Sequence, residues 1–355
     1  TPQLEPEYAR DLLKRLYQQL VPREVRHNLG EYYTPDWLAD LLMDEAGLSL
    51  EALEKLGEAD PLKPLQIRVL DPACGSGTFL VRYISRLRTY AREHFLEDLL
   101  ANYLLENVVG YDLNPLAVLT ARTNYLLMVA DLPKRGRVEI PVYLADSLMV
   151  ERKTTLTGDV YVLKTIVGEF RLPVSLVERG ALPKVLSEVL SALRGRYTVE
   201  DFRGRVQQVF KDRDLPKSSI DALVELYHKL LKLEEEGKND VWISVIRNAF
   251  APILKGKFNY VVGNPPWINW ENLQEDYRDL SRDLWEHYGI LGKGAGFKRD
   301  LSMLFLARCF DLYLKSDGKL AFLLPLTSPY SRPKPVQASE SFWSQIQIFT
   351  QCTIS

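Results

Sequence analysis

The chain has 355 residues, of which 46% are hydrophobic and 26% are charged, and its 45 basic and 47 acidic side chains give a formal net charge of −2. This composition is typical of a globular protein of about two domains, and it excludes a disordered chain and a polycationic tail. The three cysteines and four histidines are scattered and no apolar run is long enough to cross a membrane, so we expect a cytoplasmic protein without a disulfide framework or a metal site.

The elements predicted from hydrophobic spacing begin with a helix at 6–20, and a second helix begins at Asp36 after a loop at 30–35. Five short apolar runs then alternate with helical segments, and they lie at 67–70, 108–111, 140–145, 258–262 and 319–324. This alternation predicts a parallel α/β sheet, in which ligands bind at the carboxyl ends of the strands.

The stretch 151–257 interrupts the alternation. It is rich in Leu, Lys, Arg and Glu at helical spacing, and it separates the third predicted strand from the fourth. We interpret it as a mostly helical insertion between the two halves of the α/β domain. The predicted segments are 1–29, which is helical, 30–150, 151–257, 258–330 and a C-terminal tail at 331–355.

A turn with two glycines joins the first predicted strand to the helix that follows, and its sequence is Asp71-Pro72-Ala73-Cys74-Gly75-Ser76-Gly77. The glycines allow the backbone to approach a ligand closely. The third glycine position of a dinucleotide fingerprint holds Leu80, and no Gly-Lys-Ser/Thr of a phosphate loop follows. The turn therefore suits a nucleoside-type ligand without a pyrophosphate.

Two further carboxylates follow predicted strands. Asp112 is placed to accept hydrogen bonds from ribose hydroxyls, or else to cap the turn ahead of Asn114. Asp146 is placed to accept a hydrogen bond from an adenine amino group, or else to be a solvated turn carboxylate. The residues alone leave both pairs of alternatives open.

The most specific feature is Asn264-Pro265-Pro266-Trp267, which follows the fourth predicted strand. The two prolines fix φ and hold their backbone carbonyls in set directions beside the asparagine oxygen. Such a pair of acceptors suits a planar exocyclic NH₂ group, and the tryptophan ring suits stacking on a base.

A glycine-rich basic loop at 292–299 comes soon after this turn. Its composition favours contacts with phosphates. The side chains that we expect to bind nucleic acid are Lys293, Lys298 and Arg299.

The ordered set of motifs resembles the S-adenosylmethionine-dependent adenine-N6 DNA methyltransferases of the gamma arrangement, in which the cofactor motifs precede the catalytic one. The family's motifs X, I and II are similar to GEYYTP, DPACGSGTFL and YDLNPLAV, Asp146 falls at motif III, and motif IV is similar to NPPW. Motifs V and VI are similar to LFLARCFDLYLKSDGKLAFLLP. Over about residues 20–330 the chain resembles the methylase part of type IIG restriction–modification and related phage-defence enzymes.

The resemblance implies a Rossmann-like class I methyltransferase fold of three layers, with a cofactor-binding half at 30–150 and a catalytic half at 258–330. It implies S-adenosylmethionine as the cofactor and a flipped-out adenine of double-stranded DNA as the target. The residues it implies for the cofactor are Tyr33, Thr34, Pro35, Asp71, Pro72, Ala73, Cys74, Gly75, Gly77, Asp112, Leu113 and Asp146. It implies that Asn264 and the Pro265 carbonyl, held by Pro266, bind the target NH₂ and that Trp267 stacks on the base.

Two features depart from the family pattern. A target-recognition domain normally follows the catalytic half, and only 331–355 follow it here, so we expect a separate specificity subunit or a missing domain to recognise the DNA sequence. The type IIG enzymes also carry an N-terminal nuclease, for which 1–29 leave no room, so we expect no DNA cleavage.

Other classes of protein fit the same turn. A protein glutamine methyltransferase uses a similar turn on a carboxamide, usually with Tyr at position 267 and without the GEYYTP loop. An RNA adenine or guanine methyltransferase is not separated from a DNA enzyme by the near-neutral charge. A cofactor-binding subunit without activity is the non-enzymatic alternative, which the intact NPPW disfavours. We expect a site-specific adenine-N6 DNA methyltransferase of a restriction–modification or phage-defence system.

Overall fold

The computed structural model describes residues 34–133, 138–155, 158–165, 168–179, 181–211, 216–235, 248, 250–253, 255–291, 299–324 and 346–350. These residues divide into two units. The first unit comprises the residues up to Leu148 and those from Lys257 onward, and the second unit is Met149–Gly256. The predicted helix at 6–20, Tyr33, Lys293 and Lys298 lie outside the described residues.

The first unit begins with helices α1 (Asp36–Met43) and α2 (Leu50–Gly57), which a π-helical turn at Asp44–Leu48 joins. Strands and helices then alternate as β1 (Val69–Asp71), α3 (Thr78–Glu93), α4 (Glu97–Asn107), β2 (Val108–Asp112), α5 (Pro115–Val129) and β3 (Val142–Leu144). Two helices, α3 and α4, therefore separate the glycine turn from Asp112 at the end of β2.

The second unit contains three strands as well as helices, so the prediction of a mostly helical insertion was incomplete. Its elements are β4 (Val150–Thr155), β5 (Gly158–Thr165), β6 (Gly168–Pro173), α6 (Val174–Glu178), α7 (Leu182–Arg194), α8 (Val199–Val209) and α9 (Lys217–Glu235). The strands form an antiparallel meander. Its hydrophobic core includes Phe170 of β6 and the stacked rings of Phe202 and Tyr227.

The first unit resumes with β7 (Phe258–Gly263), α10 (Glu275–His287), α11 (Leu301–Leu312), β8 (Leu314–Leu324) and β9 (Ile346–Thr350). Its six strands have the order β3-β2-β1-β7-β8-β9, and every neighbouring pair is parallel. All five predicted strands are present. Asp317 and Gly318 lie at an irregularity inside β8, because Phe258 pairs with Leu314 while Tyr260 pairs with Lys319.

This sheet confirms the predicted parallel α/β, Rossmann-like fold. Strands β1 and β2 are almost wholly buried, as their continuous apolar sequences predict, and apolar side chains of α3, α4 and α5 pack with them in one core. The chain leaves β1 towards β2 and β3 on one side, and β7 to β9 extend the sheet on the other. The strand order therefore reverses between β1 and β7, where open α/β sheets bind their ligands. Among the described residues, no helix combines the length and the apolar character that a membrane span needs.

Candidate active site

The candidate site lies where β1 and β7 end side by side. Asp71 is the last residue of β1, Gly263 is the last of β7, and Asn264 follows directly. A β-carbon added to Gly263 would lie only 2.7 Å from Asp71 Oδ1. Glycine at this position therefore allows the two predicted motifs to meet at one edge of the sheet.

Asp71 is 1% exposed. Its Oδ1 accepts a hydrogen bond from the Ala73 N–H at 3.2 Å, and its Oδ2 is buried without a hydrogen-bond partner among the described residues. Burial raises the pKa of the Asp71 carboxyl well above its ordinary value, and the negative charge of Asp112 raises it further against the opposing Ala73 hydrogen bond. The site thus contains a desolvated acceptor oxygen that a donor or a cation would satisfy.

The glycine turn has a left-handed backbone at both of its glycines. Gly75 has φ +53° and Gly77 has φ +85°, and helix α3 begins directly after Gly77. No atom lies within 4 Å of the position that a Gly75 β-carbon would take, whereas at Gly77 it would meet Ala121 Cβ at 3.2 Å. Gly75 therefore borders open space, while Gly77 permits close packing of α3 on α5.

Asp112 holds the glycine turn in place. Its Oδ2 accepts a hydrogen bond from the Gly75 N–H at 2.8 Å, and its Oδ1 accepts one from the Asn114 N–H at 2.8 Å. The second bond is the Asx turn that was the alternative to ribose binding, and the first connects the ends of β1 and β2. Leu113 is 56% exposed.

Asp146 has a partner that the sequence did not suggest. Its Oδ1 accepts the Leu148 N–H at 2.8 Å, as in a turn. The hydroxyl of Tyr277 in α10 also donates to its carboxylate, and burial, followed by the Asp146 charge and this bond, raises the pKa of Tyr277 well above its ordinary value. The helix after the Asn-Pro-Pro-Trp turn is therefore tied to the carboxylate predicted to bind the cofactor adenine.

Cys74 is buried in the glycine turn, where its N–H donates to the Tyr111 carbonyl at 2.9 Å. Burial raises the pKa of its thiol well above the ordinary value, and the charges of Asp112 and Asp71 raise it further. The side chain is thus a packed thiol, and its chemistry is not that of a nucleophile.

The carboxamide of Asn264 is hydrogen-bonded through its nitrogen, while its oxygen has no partner among the described residues. Its Nδ2 donates to Thr34 Oγ1 at 3.1 Å, and its Oδ1 is buried with no hydrogen-bond partner among the described residues. Thr34 is also buried, immediately before α1. The predicted acceptor for an NH₂ group is therefore present, desolvated and unpaired.

The rest of the turn is anchored to the sheet. Pro265 is buried, and Pro266 and Trp267 are half-buried. The Trp267 indole N–H donates to the Leu323 carbonyl of β8 at 3.3 Å, and the ring packs against the core of the first unit. The indole is thus held at a fixed place beside Asn264.

Arg299 is the described member of the predicted phosphate-binding trio. Its guanidinium lies 3.5 Å from the Glu271 carboxylate in an exposed ion pair, and its carbonyl accepts the Trp270 N–H. It is connected to the segment after Trp267 and not to the glycine turn.

A parallel α/β sheet with a glycine turn and an Asn-Pro-Pro-Trp turn on the two strands at its switch point defines a Rossmann-like α/β protein. Residues 106–342 match the family model described as Eco57I restriction-modification methylase, and residues 8–162 match the one described as N-6 DNA Methylase. The chain belongs to the Eco57I restriction-modification methylase family.

Individual relatives are longer than this chain. It is 29% identical to the modification methylase CviBIII of Paramecium bursaria Chlorella virus NC1A over 112 residues, which are 32% of this chain and 26% of the relative. The DrdV–DNA complex is a similar solved structure with 17% identity and a TM-score of 0.45, covering 90% of this chain and 23% of that one. The Type ISP enzyme LlaBIII bound to DNA has 14% identity and a TM-score of 0.45, covering 90% of this chain and 16% of that one.

Proposed function

We propose that this chain transfers a methyl group from S-adenosylmethionine to the N6 amino group of adenine in double-stranded DNA, within a restriction–modification or phage-defence system. The observation that carries the proposal is the buried, unpaired Oδ1 of Asn264 beside Asp71 at the switch point. Family membership supports methylation as the class of reaction, and the unpaired acceptor supports an exocyclic amino group as the target.

The residues present fit this cofactor. Its cationic amino group matches the unpaired Oδ2 of Asp71, and the open space beside Gly75 leaves room for a ligand against the backbone. Asp112 ends β2, and we propose that it binds the ribose. Asp146 follows β3, and we propose that it binds the adenine. When bound, the cofactor supplies a methyl group already activated by the sulfonium.

The remaining chemistry is positioning and electrostatics. The lone pair of an adenine amino nitrogen is delocalised into the ring, and acceptors fixed on its two hydrogens draw that nitrogen towards tetrahedral geometry. We propose Asn264 Oδ1 and the Pro265 carbonyl as these acceptors and the Trp267 ring as the stacking surface for the flipped base. Because Oδ1 is buried, the target reaches it only when the residues that cover this atom move aside.

Arg299 suits a supporting role on the DNA. An exposed ion pair such as Arg299–Glu271 is worth about 0–1 kcal/mol, so a DNA phosphate competes easily for the guanidinium. We propose that Lys293, Lys298 and Arg299 contact phosphates, and that a specificity subunit or a further domain recognises the sequence.

Replacing Asp112 with alanine is expected to weaken binding of S-adenosylmethionine by about 10- to 100-fold, because it removes both the ribose acceptor and the bond that holds Gly75. Calorimetric titration of the cofactor measures this. Asp112→Asn keeps one acceptor oxygen and should lose less affinity. If the Asp112→Ala variant bound the cofactor with unchanged affinity, Asp112 would only hold the turn and would not bind the ribose.

The proposal is tested by transfer of labelled methyl from S-adenosylmethionine to unmethylated duplex DNA, RNA and cell protein, each digested to monomers. Label in the DNA nucleosides is the expected result. Label in methylglutamine would assign the chain to the protein methyltransferases, and label in an RNA nucleoside to the RNA methyltransferases. No label in any acceptor would also contradict the proposal.

A further inference from the structure

The contact between Thr34 and Asn264 joins the start of α1 to the end of β7, across 230 positions of the sequence. The resemblance implies Thr34 as a residue that binds the cofactor. In the structure its hydroxyl accepts a hydrogen bond from Asn264 Nδ2, and it is 7% exposed. A buried hydroxyl bonded to the proposed target-binding side chain acts on the orientation of that side chain.

The orientation of this carboxamide determines whether it attracts or repels an amino group. In the observed orientation Nδ2 is bonded and one oxygen is unpaired. The bond from Nδ2 to the Thr34 hydroxyl fixes the plane of the carboxamide. The reversed side chain would leave two N–H groups unpaired at the buried position, and they would face the N–H groups of the target. The observed orientation presents an acceptor to the target amino group, whereas the reversed one would present only donors.

The helix that follows Thr34 is anchored to the rest of the first unit. The Pro35 carbonyl accepts the N–H groups of Leu38 and Ala39 in the first turn of α1. Asp40 of α1 then forms a bidentate pair with Arg82, with N···O distances of 2.9 and 2.6 Å, and is 3.1 Å from Arg86. Both arginines belong to α3, which begins at the glycine turn, so Thr34 is connected to the same helix that the turn positions.

We propose that Thr34 is a positioning residue that holds the Asn264 carboxamide with its oxygen towards the target amino group. This inference rests on the proposed function, because it assigns Asn264 Oδ1 to the target. Thr34 would thus act on the rate of transfer through Asn264, and its contribution to cofactor affinity would be small.

The test compares Thr34→Val, which replaces the hydroxyl by a methyl group of similar size, with Thr34→Ser, which keeps the hydroxyl. We expect Thr34→Val to lower the single-turnover rate by about 10- to 100-fold while the cofactor dissociation constant changes by less than about twofold, and Thr34→Ser to stay within about threefold of the wild type. Asn264→Asp supplies a background in which both ends of the side chain are oxygens. In that background Thr34→Val should lower the single-turnover rate by less than about threefold, because a carboxyl group presents an oxygen to the target in either orientation.

A second measurement does not depend on activity. The Asn264 side-chain amide signal in a ¹⁵N NMR spectrum is identified by its loss in Asn264→Asp, and its hydrogen exchange should be slow in the wild type and fast in Thr34→Val. An inactive wild type with this protected signal would count against the proposed function alone. A wild-type rate and an unchanged amide signal in Thr34→Val would overturn the positioning role. A loss of cofactor affinity equal to the loss of rate would also overturn it, in favour of a cofactor contact.

Discussion

Replacing Asn264 with alanine is expected to reduce methyl transfer by at least about 10²- to 10³-fold, while the cofactor dissociation constant stays within about twofold. The change removes the only buried, unpaired side-chain oxygen that the described residues provide at the end of β7, and it leaves Asp71, the glycine turn and Asp112 intact. Single-turnover transfer and calorimetry with S-adenosylmethionine measure the two quantities separately. A rate near that of the wild type would remove Asn264 from the mechanism.

The chain offers a matched control in the same strand. Asn259 lies in β7, and its Oδ1 accepts hydrogen bonds from the Arg68 N–H and from Lys315 Nζ, both at 3.1 Å. Asn259→Ala should therefore lower the thermal midpoint without a comparable loss of the transfer rate per folded molecule. If both alanine variants lost rate equally, the loss would reflect damage to the strand.

Asp71→Asn is expected to have two opposite effects. It keeps an oxygen for the Ala73 N–H and removes a negative charge that has no partner at Oδ2, so the free protein should gain roughly 1–3 kcal/mol of stability near neutral pH. Cofactor affinity should fall by about 10- to 100-fold, because the amide cannot form an ion pair with the cofactor's amino group. Thermal unfolding and calorimetry measure these effects.

The gain in stability should depend on pH. Burial raises the pKa of Asp71 in the folded state, so its stabilising contribution is complete below the unfolded pKa and is lost as the pH rises through the raised folded value. The advantage of Asp71→Asn should therefore increase with pH over that interval and shrink in acid. Asp60→Asn, which removes one carboxylate at an exposed turn, is the control for the loss of a surface charge. An Asp71→Asn protein less stable than the wild type at neutral pH would contradict the account of an unsatisfied buried carboxylate.

The strands of the parallel sheet, and the residues at which β1, β2 and β7 end beside the site, could be predicted because they depend on local sequence. Short apolar runs closed by Asp71, Asp112 or Gly263 leave few alternatives to buried parallel strands, and two glycines after the first run indicate a tight turn into the following helix. The strands of 150–173 were missed because their many charged residues resemble an exposed helix. Their apolar residues in fact alternate, as at Val160 and Val162, and glycines mark the turns.

The contacts that orient the site could not be predicted from the sequence. Thr34 meets Asn264, and Tyr277 meets Asp146, only because helices α1 and α10 pack at this edge of the sheet. No local pattern distinguishes Tyr277 from the other aromatic residues of the chain. Such pairings depend on tertiary packing, and here they connect Asn264 and Asp146 to distant elements.

The measurement that tests the central claim most directly is mass spectrometry of the nucleosides from duplex DNA incubated with the chain and S-adenosylmethionine carrying a deuterated methyl group. The account predicts that the heavy methyl group appears in N6-methyldeoxyadenosine, and that Asn264→Ala abolishes this product. A heavy methyl group on the exocyclic nitrogen or a ring carbon of cytosine, with none on adenine, would contradict the account.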